Sequence, residues 1–185
     1  KSFKNKFLYF IEKVPGDFFS NTLIYLCEHD SNGAFGFIVN QPTDFTVSKF
    51  LSTIGRKSNN QITSFERLMR GGPVDLDKIF MMHNDRSISN INTSPLTDRL
   101  FLTSAPEIIN NINTDCGPNK FKLFLGYCGW SSNQLESEIK SNSWHVIDAN
   151  TDLIFDEPPH KLISAVSEDL GYDLSNVSGE SKKVH

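Results

Sequence analysis

The sequence lacks the features by which nucleic-acid-binding and membrane-spanning proteins are usually recognised. Its 185 residues carry 18 Lys and Arg against 22 Asp and Glu, a formal net charge of −4. Contact with many phosphates needs clustered basic side chains, and the only basic doublets are Arg56-Lys57 and Lys182-Lys183. No apolar run approaches the roughly 20 residues that cross a bilayer. We therefore expect a soluble protein with no membrane partner, and direct DNA binding is disfavoured.

Cysteine is also scarce, and its spacing excludes the common metal sites. Cys27, Cys116 and Cys128 cannot all pair with one another, and no C-x-x-C spacing occurs. The five histidines show no H-x-x-x-H spacing. A free cysteine beside an apolar strand usually behaves as a small buried hydrophobe, which favours a reducing compartment, here the cytoplasm. Neither a metal site nor a cofactor is predicted.

Phenylalanine, by contrast, is abundant, and the composition is that of a folded protein. The chain has 15 Phe, 38% hydrophobic residues and 22% charged residues. A chain of this length can bury most of its apolar surface within one domain. We predict a single domain over residues 1–172, followed by a polar, flexible tail over residues 173–185.

Apolar runs separated by turn residues predict a series of strands. Residues 22–28 are nearly continuously apolar, as in a strand buried on both faces. The turn Asp30-Ser31-Asn32-Gly33 joins that strand to the next in a β-hairpin, where Gly36 indicates a bulge or a close backbone approach. Residues 84–95 are predicted to form a loop. The predicted strands are residues 7–11, 22–28, 34–40, 67–70, 78–83, 99–103, 121–128 and 144–147.

Helices are predicted between these strands and after them. Apolar residues at helical spacing run from Val47 to Ile54. The capping boxes Ser104-x-x-Glu107 and Ser131-x-x-Gln134 predict the starts of two more helices. A last helix opens at Pro158-Pro159 and ends at Gly171. This order favours an α+β fold with a mixed sheet over a doubly wound parallel one.

The tripeptide Cys27-Glu28-His29 is the strongest candidate for a reactive site in the sequence. On a regular strand Cys27 and His29 face the same way, and a nearby imidazolium would lower the pKa of the thiol. Such a pair suits a nucleophile or two ligands of a metal. Catalytic partners, however, usually come from different elements, and no second Cys/His cluster completes a zinc site. A buried structural cysteine with a histidine near a turn is the favoured interpretation.

Two glycine-rich junctions are the other candidates for binding. The segment Arg70-Gly71-Gly72-Pro73 could form a backbone nest for an anion, although it follows no nucleotide-binding pattern, and a tight bend between strands is favoured. The segment Tyr127-Cys128-Gly129-Trp130 ends a strand just before a helix. A ligand could approach its glycines, but Trp130 as a core residue over that helix is favoured.

Several blocks, taken in order, resemble the AlgH/YqgE family of bacterial proteins. The resemblance covers residues 6–172 and implies a curled, barrel-like, mainly antiparallel sheet flanked by helices. Some members are labelled transcriptional regulators, and no enzymatic reaction is established for the family. Arg70 and Gln41 depart from residues common in the family. The matching blocks are residues 18–19, 24–29, 33–42, 71–74, 125–130, 134–139, 144 and 155–159.

Three functional hypotheses follow. The first is a non-enzymatic cytoplasmic regulatory or interaction protein that binds a small ligand or a protein partner. The second is a small-molecule hydrolase or transferase using Cys27 and His29, or a pocket near His83. The third is direct nucleic-acid binding, although no helix-turn-helix signature is present. The candidate surface residues are Cys27, Glu28, His29, Asn40, Gln41, Pro42, Arg70, Gly71, Gly72, Pro73, His83, Tyr127, Gly129 and Trp130.

Overall fold

The computed structural model describes residues 1–12, 14–55, 66–88, 92–104, 112 and 117–177. These residues form ten strands, four α-helices and two short 3₁₀ turns. The strands are β1 Lys6–Phe10, β2 Leu23–Asp30, β3 Gly33–Ile38, β4 Pro42–Thr46, β5 Arg67–Arg70, β6 Val74–His83, β7 Thr93–Pro95, β8 Phe101–Thr103, β9 Phe121–Ser131 and β10 Trp144–Asp148. The helices are α1 Val47–Thr53, α2 Gln134–Lys140, α3 Asp152–Asp156 and α4 Leu162–Leu170.

The chain divides into two compact units, which we call the terminal unit and the central unit. The terminal unit holds residues 1–40 and 128–185, and the central unit holds residues 41–127. Strand β9 contributes to both, because its first part pairs with central-unit strands and its last part, residues 128–131, pairs with β3.

The terminal unit is an antiparallel sheet in the order β10-β1-β2-β3-β9 with helices α2, α3 and α4. Residues 23–27 of β2 are all buried, which confirms the strand predicted to be covered on both faces. The hairpin is also confirmed, since Asp30 pairs with Gly33 across a two-residue turn. Its core contains Leu8, Phe10, Ile24, Leu26, Ala34, Ile38, Cys128, Trp130, Leu135 and Trp144.

Gly36 lies at the close approach that the sequence indicated. A Cβ atom there would stand 2.4 Å from the Tyr25 carbonyl oxygen. The register of the hairpin slips beside it, because Leu26 pairs with Gly36 whereas Glu28 pairs with Phe35. Cys27 is therefore the extra residue of a β-bulge, which bends the strand.

The central unit is built around the first part of β9. Strand β5 runs parallel to β9 on one side, and β6 runs antiparallel to it on the other. Strand β4 pairs with β5, while β8 and then β7 extend the sheet beyond β6. Helix α1 covers one face and packs Val47 and Leu51 against Leu68, Met81 and Leu123. Thr46 caps this helix by accepting a hydrogen bond from the Lys49 N–H at 3.1 Å.

The predicted α+β class with a mixed, mainly antiparallel sheet and flanking helices is confirmed. Among the pairings that the structure describes, only that of β5 with β9 is parallel. Bulges in β2, β4 and β6 bend these strands, as a curled sheet requires.

Several predicted boundaries are wrong, each because tertiary pairing overrides a local signal. Residues 84–95 are not entirely loop, since β7 pairs with β8 at their end. Strand β6 begins at Val74 rather than at residue 78. Helix α2 begins at Gln134, preceded by Asn133 in the left-handed conformation (φ 61°), so Ser131 is the last residue of β9 and not the helix cap. The capping box at Ser104 leads into residues outside the described part of the chain.

The last helix is confirmed, with Gly171 at φ 78° closing α4. The ordered chain continues beyond it. Leu174, which the sequence assigned to the tail, is fully buried in the 3₁₀ turn Leu174–Asn176. Residues 178–185 of the predicted tail lie outside the described residues.

Candidate functional site

The structure does not pair Cys27 with His29. Cys27 is fully buried in the bulge of β2, and burial, followed by the charge of Glu28, raises the pKa of its thiol well above the ordinary value. Glu28 is exposed on the same strand. Burial likewise raises the pKa of Cys128 to about 12. Both side chains are thiols rather than halves of a disulfide, and both are protonated at neutral pH, which is the state of buried structural cysteines.

Both nitrogens of the His29 ring are committed to other partners. Its Nδ1 accepts a hydrogen bond from the Phe3 backbone N–H at 2.9 Å, so Nε2 carries the proton and donates to Glu136 Oε1 at 2.8 Å. The Glu136 backbone N–H, followed by the His29 hydrogen bond, lowers the pKa of the Glu136 carboxyl. His29 therefore joins the N-terminal segment to helix α2, and neither nitrogen is turned to the Cys27 thiol.

Trp130 is a core residue, and one carboxylate holds both tryptophans of the chain. Glu138 Oε2 accepts hydrogen bonds from Trp130 Nε1 at 2.9 Å and from Trp144 Nε1 at 2.7 Å. Gln134 Nε2 donates to the other oxygen of Glu138 at 2.9 Å. The two indole rings pack edge to face with centroids 6.0 Å apart. Glu138 thus satisfies two largely buried donors that would otherwise lose their hydrogen bonds on folding.

Asn40 and Gly129 also make contacts that maintain the fold of the terminal unit. The Asn40 side chain accepts from the Leu23 N–H at 2.9 Å and donates to the Asn21 carbonyl at 2.8 Å, which ties the end of β3 to the start of β2. Gly129 is exposed and pairs with Phe35 across β3 and β9.

The remaining strand-end candidates come together in the central unit. The Arg70 N–H donates to the Gln41 carbonyl, and the Gly71 N–H donates to the Leu125 carbonyl, both at 2.8 Å. Pro42 opens β4 directly beside the end of β5. These two N–H groups therefore point at protein carbonyls, and neither Gly71 nor Gly72 has the positive φ of an anion-binding nest. The segment is a tight bend between strands.

A wide bulge follows that bend and projects an apolar side chain. Val74 pairs with Tyr127 but Ile79 pairs with Leu125, so three more residues lie on β6 than on β9 between these pairs. Asp75 adopts φ 48°, and its carboxylate accepts from Lys78 Nζ at 2.7 Å and from the Tyr127 hydroxyl at 3.4 Å. Leu76 stands at the tip and is 49% exposed.

Glycine at position 126 allows this bulge to pack closely against β9. A Cβ atom at Gly126 would lie 2.8 Å from the Gly72 carbonyl oxygen, 2.7 Å from that of Val74 and 3.1 Å from Leu76 Cδ2. The bend, the bulge and β9 are thus packed backbone to backbone. We define the strand-end surface as the exposed side chains at this end of the central unit: Pro42, Arg70, Pro73, Val74 and Leu76.

His83 is fully buried on β6, in a hydrogen-bonded row. Its Nδ1 accepts from the Asp85 N–H at 3.3 Å, so Nε2 donates to Thr103 Oγ1 at 2.9 Å. Thr103 in turn lies 2.8 Å from Thr93 Oγ1, and Phe101 stacks on the ring. Burial lowers the pKa of His83, so the ring is neutral at pH 7. These contacts fasten β6, β8 and β7 to one another.

The described residues contain no group of three or more His, Cys, Asp or Glu side chains arranged to hold a metal ion. None of the helices in the described part of the chain is long and apolar enough to span a membrane.

Sequence reasoning missed Leu76 and Glu138. Leu76 stands between Asp75 and Asp77, and an apolar residue between two acidic ones just after a bend was the available signal. The role of Glu138 had no local signal, because its tryptophan partners lie on β9 and β10.

Comparison with known proteins gives consistent matches over nearly the whole chain. Residues 7–175 match the model of the family DUF179, described as AlgH-like. A UPF0301 protein from Shewanella denitrificans is 33% identical over 180 residues, which cover 97% of each chain. Another UPF0301 protein, from Marinomonas, is 34% identical over 177 residues, 96% of this chain and 94% of its own.

Solved structures match the fold as well. The solution structure of the AlgH protein from Pseudomonas aeruginosa superposes with a TM-score of 0.80 at 29% identity, over 95% of this chain and 92% of that one. The crystal structure of protein DIP2367 from Corynebacterium diphtheriae has a TM-score of 0.61 at 19% identity, over 83% and 79% of the two chains, and shares the fold alone.

Proposed function

Because the chain belongs to the AlgH-like (UPF0301) family, we propose that it is a non-enzymatic, cytoplasmic regulatory protein that binds a protein partner through the strand-end surface. The bulge of β6 carries this proposal. It exposes Leu76 to solvent on a backbone that is held by the contacts of Asp75 with Lys78 and Tyr127 and by close packing against Gly126.

The backbone under Leu76 is constrained, although its side chain is exposed. Asp75 occupies a left-handed conformation, which aspartate tolerates better than most residues other than glycine, and Lys78 and Tyr127 hold its carboxylate there. Bulges in strands commonly re-aim a side chain beside a functional site. An apolar side chain on a backbone fixed in this way requires little ordering of the backbone on binding, which favours an anchor in an interface.

The neighbours of Leu76 suit a protein partner. Val74 is 36% exposed and Pro73 is exposed, so the apolar tip continues along the start of β6. Arg70, Asp77 and Lys78 are exposed close to it in the chain. An apolar centre with a charged rim is the usual composition of a protein–protein interface.

Binding is favoured over chemistry because the reactive groups have structural partners. Both ring nitrogens of His29 and of His83 are hydrogen-bonded, and the Cys27 thiol is buried and protonated. Cys27 and Cys128 are thiols rather than disulfide partners, which supports a reducing compartment and hence the cytoplasm.

Replacing Leu76 by aspartate is expected to abolish partner capture. The protein is immobilised and exposed to a lysate of its native cells, and bound proteins are quantified by mass spectrometry. The recovery of a specific partner should fall at least about tenfold, because a buried charge in place of an apolar anchor costs more than ~1.4 kcal/mol.

Val14→Asp is the matched control, since Val14 is 48% exposed and lies in the terminal unit. Val14→Asp should change the free energy of unfolding by no more than about 0.5 kcal/mol, because its side chain is half exposed. Leu76→Asp should cost about 1 kcal/mol, because Leu76 packs over Gly126 and the new carboxylate lies between Asp75 and Asp77, so both variants should remain folded. The proposed surface would be contradicted if the Leu76→Asp variant still captured the partner. It would also be contradicted if Val14→Asp reduced the recovery of the partner equally.

The same proposal predicts weak binding to DNA. The net charge is −4, and both basic doublets lie outside the described residues. In an anisotropy titration at physiological salt, we expect a Kd above about 10 μM for random and genomic duplexes alike. Sub-micromolar, sequence-selective binding, with a log–log salt slope of several units, would instead establish a direct DNA-binding function.

A further inference from the structure

In the part of the chain that the structure describes, three strands have a neighbouring strand on one side only, and two of them carry features that hinder further pairing. Strand β4 begins with Pro42 and is bulged against β5, and its Phe45 N–H is already bonded to the Thr43 hydroxyl at 3.2 Å. Strand β7 has only 3 residues and ends at Pro95. Prolines, bulges and short length are means by which natural proteins prevent association between sheet edges. The third edge strand is β10.

Strand β10 lacks these protective features. It has 5 residues, all of which pair with β1 in one continuous register. It contains no proline or glycine, and its aromatic and β-branched side chains favour an extended chain. Its carboxylate, Asp148, stands at the end of the strand and is bonded to Lys6 of β1. This edge of the terminal unit is therefore regular and carries little that would repel another strand.

The outer edge of β10 has hydrogen-bonding groups without partners. The Ile11 N–H donates to the Ser143 carbonyl at 3.0 Å, so Ser143 bonds inward, to the extension of β1. Only every second residue of an antiparallel strand bonds to a given neighbour. The N–H and C=O groups of Trp144, Val146 and Asp148 therefore point outward, and none of the described residues forms a hydrogen bond with them. An added strand can bond to all of these groups without disturbing the pairing with β1.

We propose that two copies of the chain associate through β10, with their β10 strands paired antiparallel about a two-fold axis at Val146. Val146 is the central residue of the strand, and its peptide groups point outward. In the symmetric register Val146 bonds to its own counterpart, and Trp144 bonds to Asp148 of the second copy. Every outward N–H and C=O group of β10 thereby gains a partner. The contact lies in the terminal unit and does not involve the strand-end surface.

The side chains of β10 suit a second copy in this register. Val146 is only partly buried against the core of the terminal unit, so two valines that meet at the axis cover their remaining apolar surface. Asp148 faces Trp144 of the second copy rather than another carboxylate, so no like charges stand directly opposite one another. His145 faces Ile147 in the same way, and burial lowers the pKa of His145, so its ring adds no charge at pH 7.

The contact is small, and the dimer should accordingly be weak. Stable complexes bury at least about 1,200 Å², more than two short strands cover, so we expect a dissociation constant on the order of 10–100 μM.

The test is sedimentation equilibrium of the full chain at about 5–500 μM, a range that brackets this constant. The average mass should rise from that of one chain towards that of two. Hydrogen exchange followed by NMR identifies the strand that pairs. The outward amides of Val146 and Asp148 should be protected only at high concentration, whereas the inward amides of His145 and Ile147 should be protected throughout.

A pair of charge variants tests the position of the axis. Val146→Glu and Val146→Lys each place two like charges opposite one another, so each should weaken self-association at least about tenfold. An equimolar mixture of the two should regain the association, because glutamate then faces lysine across the axis. Near-ultraviolet circular dichroism of each variant shows that it is folded.

Two controls use exposed side chains away from β10. Val14→Glu alters an exposed valine of the same unit and should leave self-association unchanged. Leu76→Asp should also leave it unchanged, because Leu76 belongs to the strand-end surface of the central unit.

The proposal is overturned if the chain remains monomeric over the whole concentration range. It is also overturned if Val146→Glu and Val146→Lys associate as tightly as the original chain, or if their mixture associates no better than either variant alone. Self-association that is lost equally in Val14→Glu would place the contact elsewhere and would likewise contradict it.

Discussion

Gly33→Ala is expected to lower the free energy of unfolding by about 3–4 kcal/mol, as the sum of backbone strain and overpacking. Gly33 ends the hairpin turn at φ 140°, a conformation that residues with a side chain rarely adopt. A Cβ atom there would stand 2.1 Å from the Trp130 carbonyl oxygen. That oxygen belongs to the backbone of β9, so it cannot move aside without disturbing the pairing of β3 with β9.

Gly16→Ala separates the two causes. Gly16 also has a positive φ, 82°, but a Cβ atom there would meet none of the described residues within 4 Å. Its replacement should cost only about 1–2 kcal/mol, the conformational part of the effect. Both variants are compared by denaturant unfolding with a common m-value. Equal losses of stability would mean that the contact with Trp130 can relax.

Features that depend on neighbours in sequence could be predicted from the sequence. The turn before Gly33 follows from its Asp-Ser-Asn-Gly composition, and its two strands follow from the apolar runs on either side. The last helix could also be predicted from nearby residues, because prolines mark its start and Gly171 marks its end. In each case the determining residues lie within a few positions of the element that they define.

Features that depend on pairing between distant segments could not be predicted. Ser131 has the sequence of a helix cap, yet it extends β9 because Gly33 pairs with it. Gln134 still bonds to the Ser131 N–H at 3.0 Å, so half of the capping box exists without capping the helix. The capping-box sequence is therefore present, but the pairing of Ser131 with Gly33 of the hairpin determines the structure at this position.

The same distinction between local and long-range features applies to the candidate site. The bend at residues 70–73 was predicted from its glycines and proline, and the favoured structural interpretations of Cys27 and Trp130 agree with their burial. The bulge that projects Leu76 was not predictable, because it arises from a register difference between β6 and β9. A single sequence does not contain that register in any local pattern.

Glu138→Leu is expected to lower the free energy of unfolding by about 2–5 kcal/mol, because each buried donor left without an acceptor costs ~1–3 kcal/mol. Leucine has a similar size but no acceptor, so the indole N–H groups of Trp130 and Trp144 would both lose their partner. Trp130 is 7% exposed and Trp144 4%, which leaves water little access to replace the carboxylate. The chain contains only these 2 tryptophans, so their fluorescence reports directly on the site.

Glu138→Gln is the matched control for that experiment. Its amide oxygen can still accept from both indoles, but its NH2 group can no longer accept from Gln134 Nε2. The loss should therefore be smaller than for leucine, about 1–2 kcal/mol, reflecting weaker neutral hydrogen bonds to the indoles and the loss of one partly exposed hydrogen bond. Unfolding in denaturant is followed by tryptophan fluorescence, and near-ultraviolet circular dichroism of the folded state shows whether the two rings keep their edge-to-face packing. If Glu138→Leu proves no less stable than Glu138→Gln, the shared carboxylate does not hold the tryptophans. The 134–139 block would then require an explanation outside the stability of the terminal unit.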